Sequence, residues 1–411
     1  MMTFIRMVWR NLWRNTRRSL LTTSAIFFAT LLLVFMLALQ KGSYQGMINN
    51  AVKIHTGHIQ IQRESYLDEM NINLSIDNPE MIYPILNQGH HIQSFAPRLN
   101  SPALISSAGN TFGVLVIGVD PDREAEVSTL KKVIREGSYL SSEPDHGALL
   151  GETMAKNLGV TIGDELIFMG QAANGALAAD RFYVKGIYRS GLSEFDRNIV
   201  CIDLKEAQEL FSMEGRVSDI ALILDDFRSI KEVKDYLMDI FGKRGWGAYK
   251  VLTWSEITPA LKQAIALDAS SAYIFYFILL MVVGFGIMNT FLMSIFERMR
   301  EIGVMIALGV RPGLMFLMVI LESLTLSSIG ILSGAIAGSG LAYYYERTGI
   351  HLSELSEMME FFGMPSGIFP DISIGVAMVA VIAVFAITLL IAIYPAIKVL
   401  RIKPVEALRY I

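Results

Sequence analysis

Few residues of this chain have the type and spacing to do chemistry. The densest group is Glu297, Arg298, Arg300 and Glu301, four charges within five positions, at the head of "ERMREIGVMIALG". Ile302, Met305 and Ile306 follow at helical spacing, and Gly309 and Pro312 supply stop signals. This pattern predicts a short amphipathic helix over 297–309. Its chemistry is mechanical. The helix is either a handle for another protein or a helix lying among lipid headgroups, and the residues alone leave both readings open.

The other reactive types are scattered. His55 and His58 in "HTGH" could be read as a metal pair, but no acidic or cysteine partner accompanies them, so no metal site is expected. His90 and His91 are adjacent in a polar stretch and are expected to face solvent. Cys201 sits in the apolar run "NIVCIDL" and reads as a small core residue. As the single cysteine it excludes an internal disulfide. Glu322 is expected a turn or two inside an apolar segment, where an acid is costly and a functional candidate. Pairing with Arg298, Arg300 or Arg311 is the structural alternative. No G-x-x-x-x-G-K-[ST] phosphate loop and no G-x-S-x-G elbow occurs. The chain is therefore expected to bind no cofactor and to be non-catalytic.

These residues hang on an apolar frame. Of 411 residues, 53% are hydrophobic and 18% charged, with a mean hydropathy of +0.44. Soluble chains carry about 45–50% apolar residues. Four stretches carry no charge, Ser19–Gln40, Ala269–Phe296, Ser323–Tyr345 and Ile372–Ile397. Each exceeds the roughly 20 residues a helix needs to cross a hydrocarbon core, and in lipid only helices or closed barrels satisfy the backbone. Four such runs argue against buried helices of a soluble core. The first is longer than the apolar region of a cleaved signal peptide, about 7–15 residues, and is expected to be retained.

Basic residues set the orientation. Arg6, Arg10, Arg14, Arg17 and Arg18 precede the first stretch. Arg298, Arg300 and Arg311 follow the second, and Lys398, Arg401, Lys403 and Arg409 follow the fourth. The loop 346–371 holds Arg347 against Glu346, Glu354, Glu357, Glu360 and Asp371. Both termini and the 297–309 helix are therefore expected in the cytoplasm, with 41–268 outside. The net charge of −4 averages unlike parts, and no basic field suited to nucleic acid is present.

The expected fold is an α-helical membrane protein of four transmembrane helices with a large extracytoplasmic α/β (α+β) domain between helices 1 and 2. The domains are 1–40, 41–268 and 269–411, with a β-rich lobe inserted near 136–200. Strand patterns fall at 58–62, 112–119, 165–169, 181–187, 199–202, 220–224 and 249–252. Helical patterns fall at 79–86, 153–158, 204–211 and 230–241. An amphipathic helix at 257–268 should lead straight into the second span. In the third span Gly330, Gly334 and Gly338 recur every four residues, which predicts one helix face open to close packing.

The stretch from Asn289 through "FERMREIGVMIALG" to Gly338 resembles the permease domain of ABC transporter subunits of the FtsX/MacB type. The ending "YPAIKVLRIKPVEALRYI" and the lead "WRNLWRNTRRSLLT" are similar to that family's ends. "GETMAKNLGVTIGDELIF" and "GIYRSGLSEFDRNIVCIDLKEAQELF" resemble its lipoprotein-releasing branch, LolC/LolE. The resemblance implies a bacterial inner-membrane permease with no fused ATPase. It would work by mechanotransmission, gripped at Glu297, Arg298, Arg300, Glu301, Ile302 and Met305 by a cytoplasmic ABC ATPase dimer that holds the ATP and Mg. It implies a second permease, identical or a paralogue, with lipoproteins and a periplasmic chaperone or adaptor as further partners. Acyl chains would enter a cavity between spans one and two of paired permeases, with Phe35, Met36, Leu39, Ile274, Phe275 and Ile278 as its apolar candidates. Each buried CH₂ is worth about 0.8 kcal/mol, so extraction needs a motor. Two other readings are export of a small amphiphile or peptide in macrolide-exporter style, and a signalling scaffold for cell-wall hydrolases. In LolC a proline-bearing hook after the "GDEL" strand docks the chaperone. Here that position reads "GQAANGALAAD", a proline-free hairpin, so the resemblance does not carry that docking over.

Overall fold

The computed structural model describes residues 16–107, 109–351 and 367–401. Arg6, Arg10, Arg14, most of the acidic loop 346–371 and the tail beyond Arg401 lie outside the described residues. Two compact units divide the chain. One runs to Tyr44 and resumes at Ile265–Ile350 and from Ile368. The other holds Gln45–Ala264.

Helix α1 spans Thr16–Ala51 and passes into a π-helical turn, Val52–Thr56, ended by Gly57 at φ 66°. Ten strands then form one mixed sheet. They are β1 (Ile59–Arg63), β2 (Ile92–Ser107), β3 (Asn110–Val119), β4 (Ile134–Gly137) and β5 (Gly147–Gly151). β6 (Glu165–Gln171), β7 (Leu177–Tyr188), β8 (Ile199–Asp203), β9 (Asp219–Leu224) and β10 (Tyr249–Thr253) complete the set. The order is β10-β1-β9-β2-β3-β8-β5-β7-β4, and β6 pairs with both β2 and β7. That double pairing closes β2, β3, β8, β5, β7 and β6 into a ring. Alternate residues point inward, so Ile105, Val116, Leu166, Phe168, Phe182 and Val184 meet in one buried cluster. The β-rich lobe expected near 136–200 thus takes β2 and β3 from earlier in the chain to close.

Four helices brace the sheet: α2 (Pro121–Val127), α3 (Glu152–Leu158), α4 (Leu204–Leu210) and α5 (Ile230–Lys243). Asp120 and Asp203 cap α2 and α4 by accepting from the first free N–H groups. In α5, Val233, Leu237 and Phe241 recur every four residues and pack on Ile59, Ile61 and Ile220. Cys201 is 1% exposed in β8.

Asp219 is a buried acid in this unit. Its Oδ2 accepts from Asn100 Nδ2 at 2.6 Å, while Oδ1 is enclosed without a hydrogen bond. Burial pushes its pKa up to about 6, against the opposing pull of Arg98. The folded state therefore holds the proton more tightly than the unfolded chain. Its stabilising contribution is complete below the unfolded value near ~4 and is lost as pH rises through about 6. Asp219→Asn is expected to remove about 3 kcal/mol of pH dependence across that window. Urea unfolding at several pH values checks this, and an unchanged slope in the variant would refute it.

Beyond the outer unit's sheet come α6 (Pro259–Glu297), α7 (Met299–Ala307), α8 (Pro312–Thr348) and α9 (Ile374–Leu400). Helices α1, α6, α8 and α9 are each long and apolar enough to cross a membrane. The expected 257–268 helix is the start of α6, which runs unbroken from Pro259.

Candidate functional site

The charged stretch divides between two helices. Glu297 is the last residue of α6, and Arg298 is the N-cap of α7 with φ −103°. Each is tied elsewhere. The Arg18 guanidinium of α1 donates through both terminal nitrogens to the Glu297 carboxylate. Arg298 Nη1 lies 3.1 Å from both oxygens of Glu322 on α8, and its Nε is 3.5 Å from Glu301. Four elements therefore meet through two carboxylate–guanidinium pairs around a cavity of about 180 Å³. Glu322 borders this cavity and lies inside α8, the third membrane-length helix, which begins at Pro312. Its partner is Arg298, one of the three arginines the sequence offered.

Below the pairs, Ile302 of α7 is buried with Ile295, Met315, Met318 and Val399, and Met305 and Ile306 pack beside them. Ile302 and Met305 thus face the helices packed around α7. The periodicity that marks 302, 305 and 306 as a stripe is the mark of a face turned into the bundle. Arg300 and Glu301 stay exposed, joined by Val304 at 41% and Leu308 at 81%. Val304 and Leu308 are i, i+4 neighbours.

Glu322→Gln would leave Arg298, itself 16% exposed, with only the longer 3.5 Å pairing to Glu301. The expected cost is about 1.5–3 kcal/mol, read as a lower melting temperature of the purified protein in detergent. Coincident melting curves would show that the pair bears no load.

The three glycines of α8 face α1. A Cβ at Gly330 would lie 2.9 Å from Thr23 O, at Gly334 2.5 Å from Phe27 O, and at Gly338 2.8 Å from Leu31 O. The six cavity candidates are differently placed. The Phe35 ring stands 6.0 Å from that of Tyr345, and Leu39 is half-buried. Met36, Ile274, Phe275 and Ile278 are exposed, Phe275 at 71%. One chain does not gather these six around a cavity. Between them, Tyr276 donates to Gln40, Gln40 to Tyr44, and Tyr44 to Asp268, at 3.0, 2.7 and 2.6 Å, which joins α1 to α6.

In the outer unit, His58 Nδ1 accepts from the Leu224 N–H at 2.9 Å, and the His55 ring packs on Phe195. Among the described residues no group of three His, Cys, Asp or Glu converges as a metal site would. His91 pairs with Asp225 at 3.0 Å. The "GQAANGALAAD" stretch is a hairpin between β6 and β7, turned at Gly175 (φ 84°) and leaving Leu177 80% exposed.

Two family models match the chain. The MacB-like periplasmic core domain covers residues 19–240, and the FtsX-like permease C-terminal covers 273–404. A lipoprotein-releasing system transmembrane protein LolC from Xylella fastidiosa is 26% identical over 329 residues, 77% of each chain. A LolE protein of the same system from Haemophilus influenzae is 22% identical, covering 79% of each. A macrolide export ATP-binding/permease protein MacB from Bdellovibrio bacteriovorus is 25% identical over 96% of this chain and 60% of its own. The matched models follow one another as α1, outer domain and membrane helices do, and the chain belongs to the ABC transporter permeases of the FtsX/MacB type.

Proposed function

We propose that this permease extracts lipoproteins from the inner membrane for delivery to the outer membrane. The observation that carries this reading is the LolC similarity, which extends over 77% of both chains. A separate ATPase dimer in the cytoplasm would hold ATP and Mg and grip α7 on its outward face, at Arg300, Glu301, Val304 and Leu308. The inward face would pass the force to α8 through Ile302 and the Arg298–Glu322 pair. The glycine seam would carry it from α8 to α1. ATP supplies the differential affinity without which no such shift occurs. The exposed row Ile274, Phe275 and Ile278 would close a cavity for acyl chains against a second permease.

The MacB similarity, which spans 96% of this chain, favours a second reading, export of a small amphiphile or peptide. Depleting the protein in its host and fractionating the membranes separates the two. Lipoproteins retained in the inner membrane support the first reading. Normal sorting rejects it, and drug-stimulated ATPase activity of the purified complex would then support the second.

A further inference from the structure

We propose that the cleft between the start of α1 and the middle of α8 is a phospholipid site. It would take a phosphodiester at Arg17 and an acyl chain along Leu20, Thr23, Leu326 and Ile329. A groove of about 500 Å³ lies there, and Arg17 is the single charged residue of its lining. Among the described residues Arg17 has no ion-pair partner, whereas neighbouring Arg18 is held by Glu297. Thr23 lies six residues further along α1, about 9 Å deeper at the helical rise. The groove thus runs from a cation at the charged end of the bundle into the uncharged stretch.

Two further observations place a headgroup rather than a tail alone. The groove shares Ser19 and Leu326 with the smaller cavity that holds Arg18, Glu297, Arg298 and Glu322. In that cavity Arg298 Nε is enclosed without a hydrogen bond, with the Glu301 carboxylate 3.5 Å away. A cavity holding charged pairs beside an apolar groove, with Ser19 and Leu326 common to both, suits an amphiphile. A cation at the interface between membrane helices recruits phosphate, and an apolar groove facing the bilayer is filled from the bilayer. The proposal rests on the chain being embedded in a membrane and is independent of what the transporter carries.

The test uses the full-length protein with any copurifying subunits. It is reconstituted in palmitoyl-oleoyl phosphatidylglycerol vesicles containing a trace of the same lipid with a diazirine on its acyl chain. After irradiation, adducts are mapped by mass spectrometry. They are expected to concentrate at 16–23 and 326–329. Arg17→Gln should lower that yield about five-fold, the worth of one interfacial cation, while adducts at exposed Val379 and Ile382 of α9 stay constant. Millimolar inorganic phosphate should not compete. Three results overturn the proposal: adducts spread over all exposed helix faces in proportion to exposure, an unchanged yield in Arg17→Gln, or displacement by free phosphate. An Ile329→Cys variant that crosslinks to a second copy would also overturn it, since protein would then cover the groove.

Discussion

Arg98→Met is expected to destabilise the outer domain by about 3–5 kcal/mol, the cost of breaking a buried ion pair from one side. Arg98 and Glu124 are 1% and 2% exposed. Arg98 Nε and Nη2 donate to the two Glu124 oxygens at 2.9 and 2.7 Å. Its remaining nitrogen donates to the backbone oxygen of His55, in the π-helical turn that follows α1. One side chain of β2 thus satisfies a carboxylate from α2 and a carbonyl from a helix end. Removing the guanidinium strands both acceptors without water. Replacing both partners, as Arg98→Met with Glu124→Leu, removes the stranded charge and should recover most of the loss, because well-packed apolar substitutes for a buried pair are often neutral. The His55 carbonyl stays unpaired in both variants and sets the residual deficit. Urea unfolding followed by the fluorescence of Trp246, which packs on Phe241 and Tyr249, reads the domain. A double variant no more stable than Arg98→Met would mean that the buried charge is not what makes the single change costly.

That pair also marks where sequence reasoning stopped. The four membrane helices were legible because a span is a one-dimensional signal of length and absence of charge. Seven strands were legible from alternation. The longest strand, β2, was not. It carries Pro97 and Pro102, and proline argues against a central strand. The fold accommodates both by register. Pro97 lies where β2 pairs with β9, and Pro102 where it pairs with β3, while β6 reaches only Ala103–Ser106. Each proline thus has a single neighbouring strand. The Arg18–Glu297 pair joins residues 279 apart, and no spacing rule reaches that far. Gly42 meets an equally remote partner, since a Cβ there would fall 1.9 Å from the Phe369 backbone oxygen. Ile302 shows a different failure. Its place in an apolar stripe was visible, but which neighbour the stripe served was not.

Gly334→Leu is expected to prevent α1 and α8 from closing, and Gly334→Ala to cost about 1–3 kcal/mol through overpacking. The reason is what stands opposite. Thr23, Phe27 and Leu31 present backbone oxygens to Gly330, Gly334 and Gly338 in matched steps of four residues. Both helices run in the same direction along this seam. A Cβ at Gly334 would lie 2.5 Å from Phe27 O and 2.9 Å from Thr30 Cβ. A side-chain tip could swing aside from such contact, but a helix backbone moves only as a whole. Separation of the helices also weakens the dispersion contacts that hold membrane helices together in place of a hydrophobic force. Gly340 is the internal control. It lies in the same helix, and a Cβ there would meet nothing within 4 Å, so Gly340→Ala should be neutral or stabilising by up to about 1 kcal/mol from helix propensity. Thermal melting in detergent compares the three variants. If Gly334→Ala and Gly340→Ala melt alike, the seam is not closely packed in the folded protein, and α8 cannot pass movement to α1 by direct contact there.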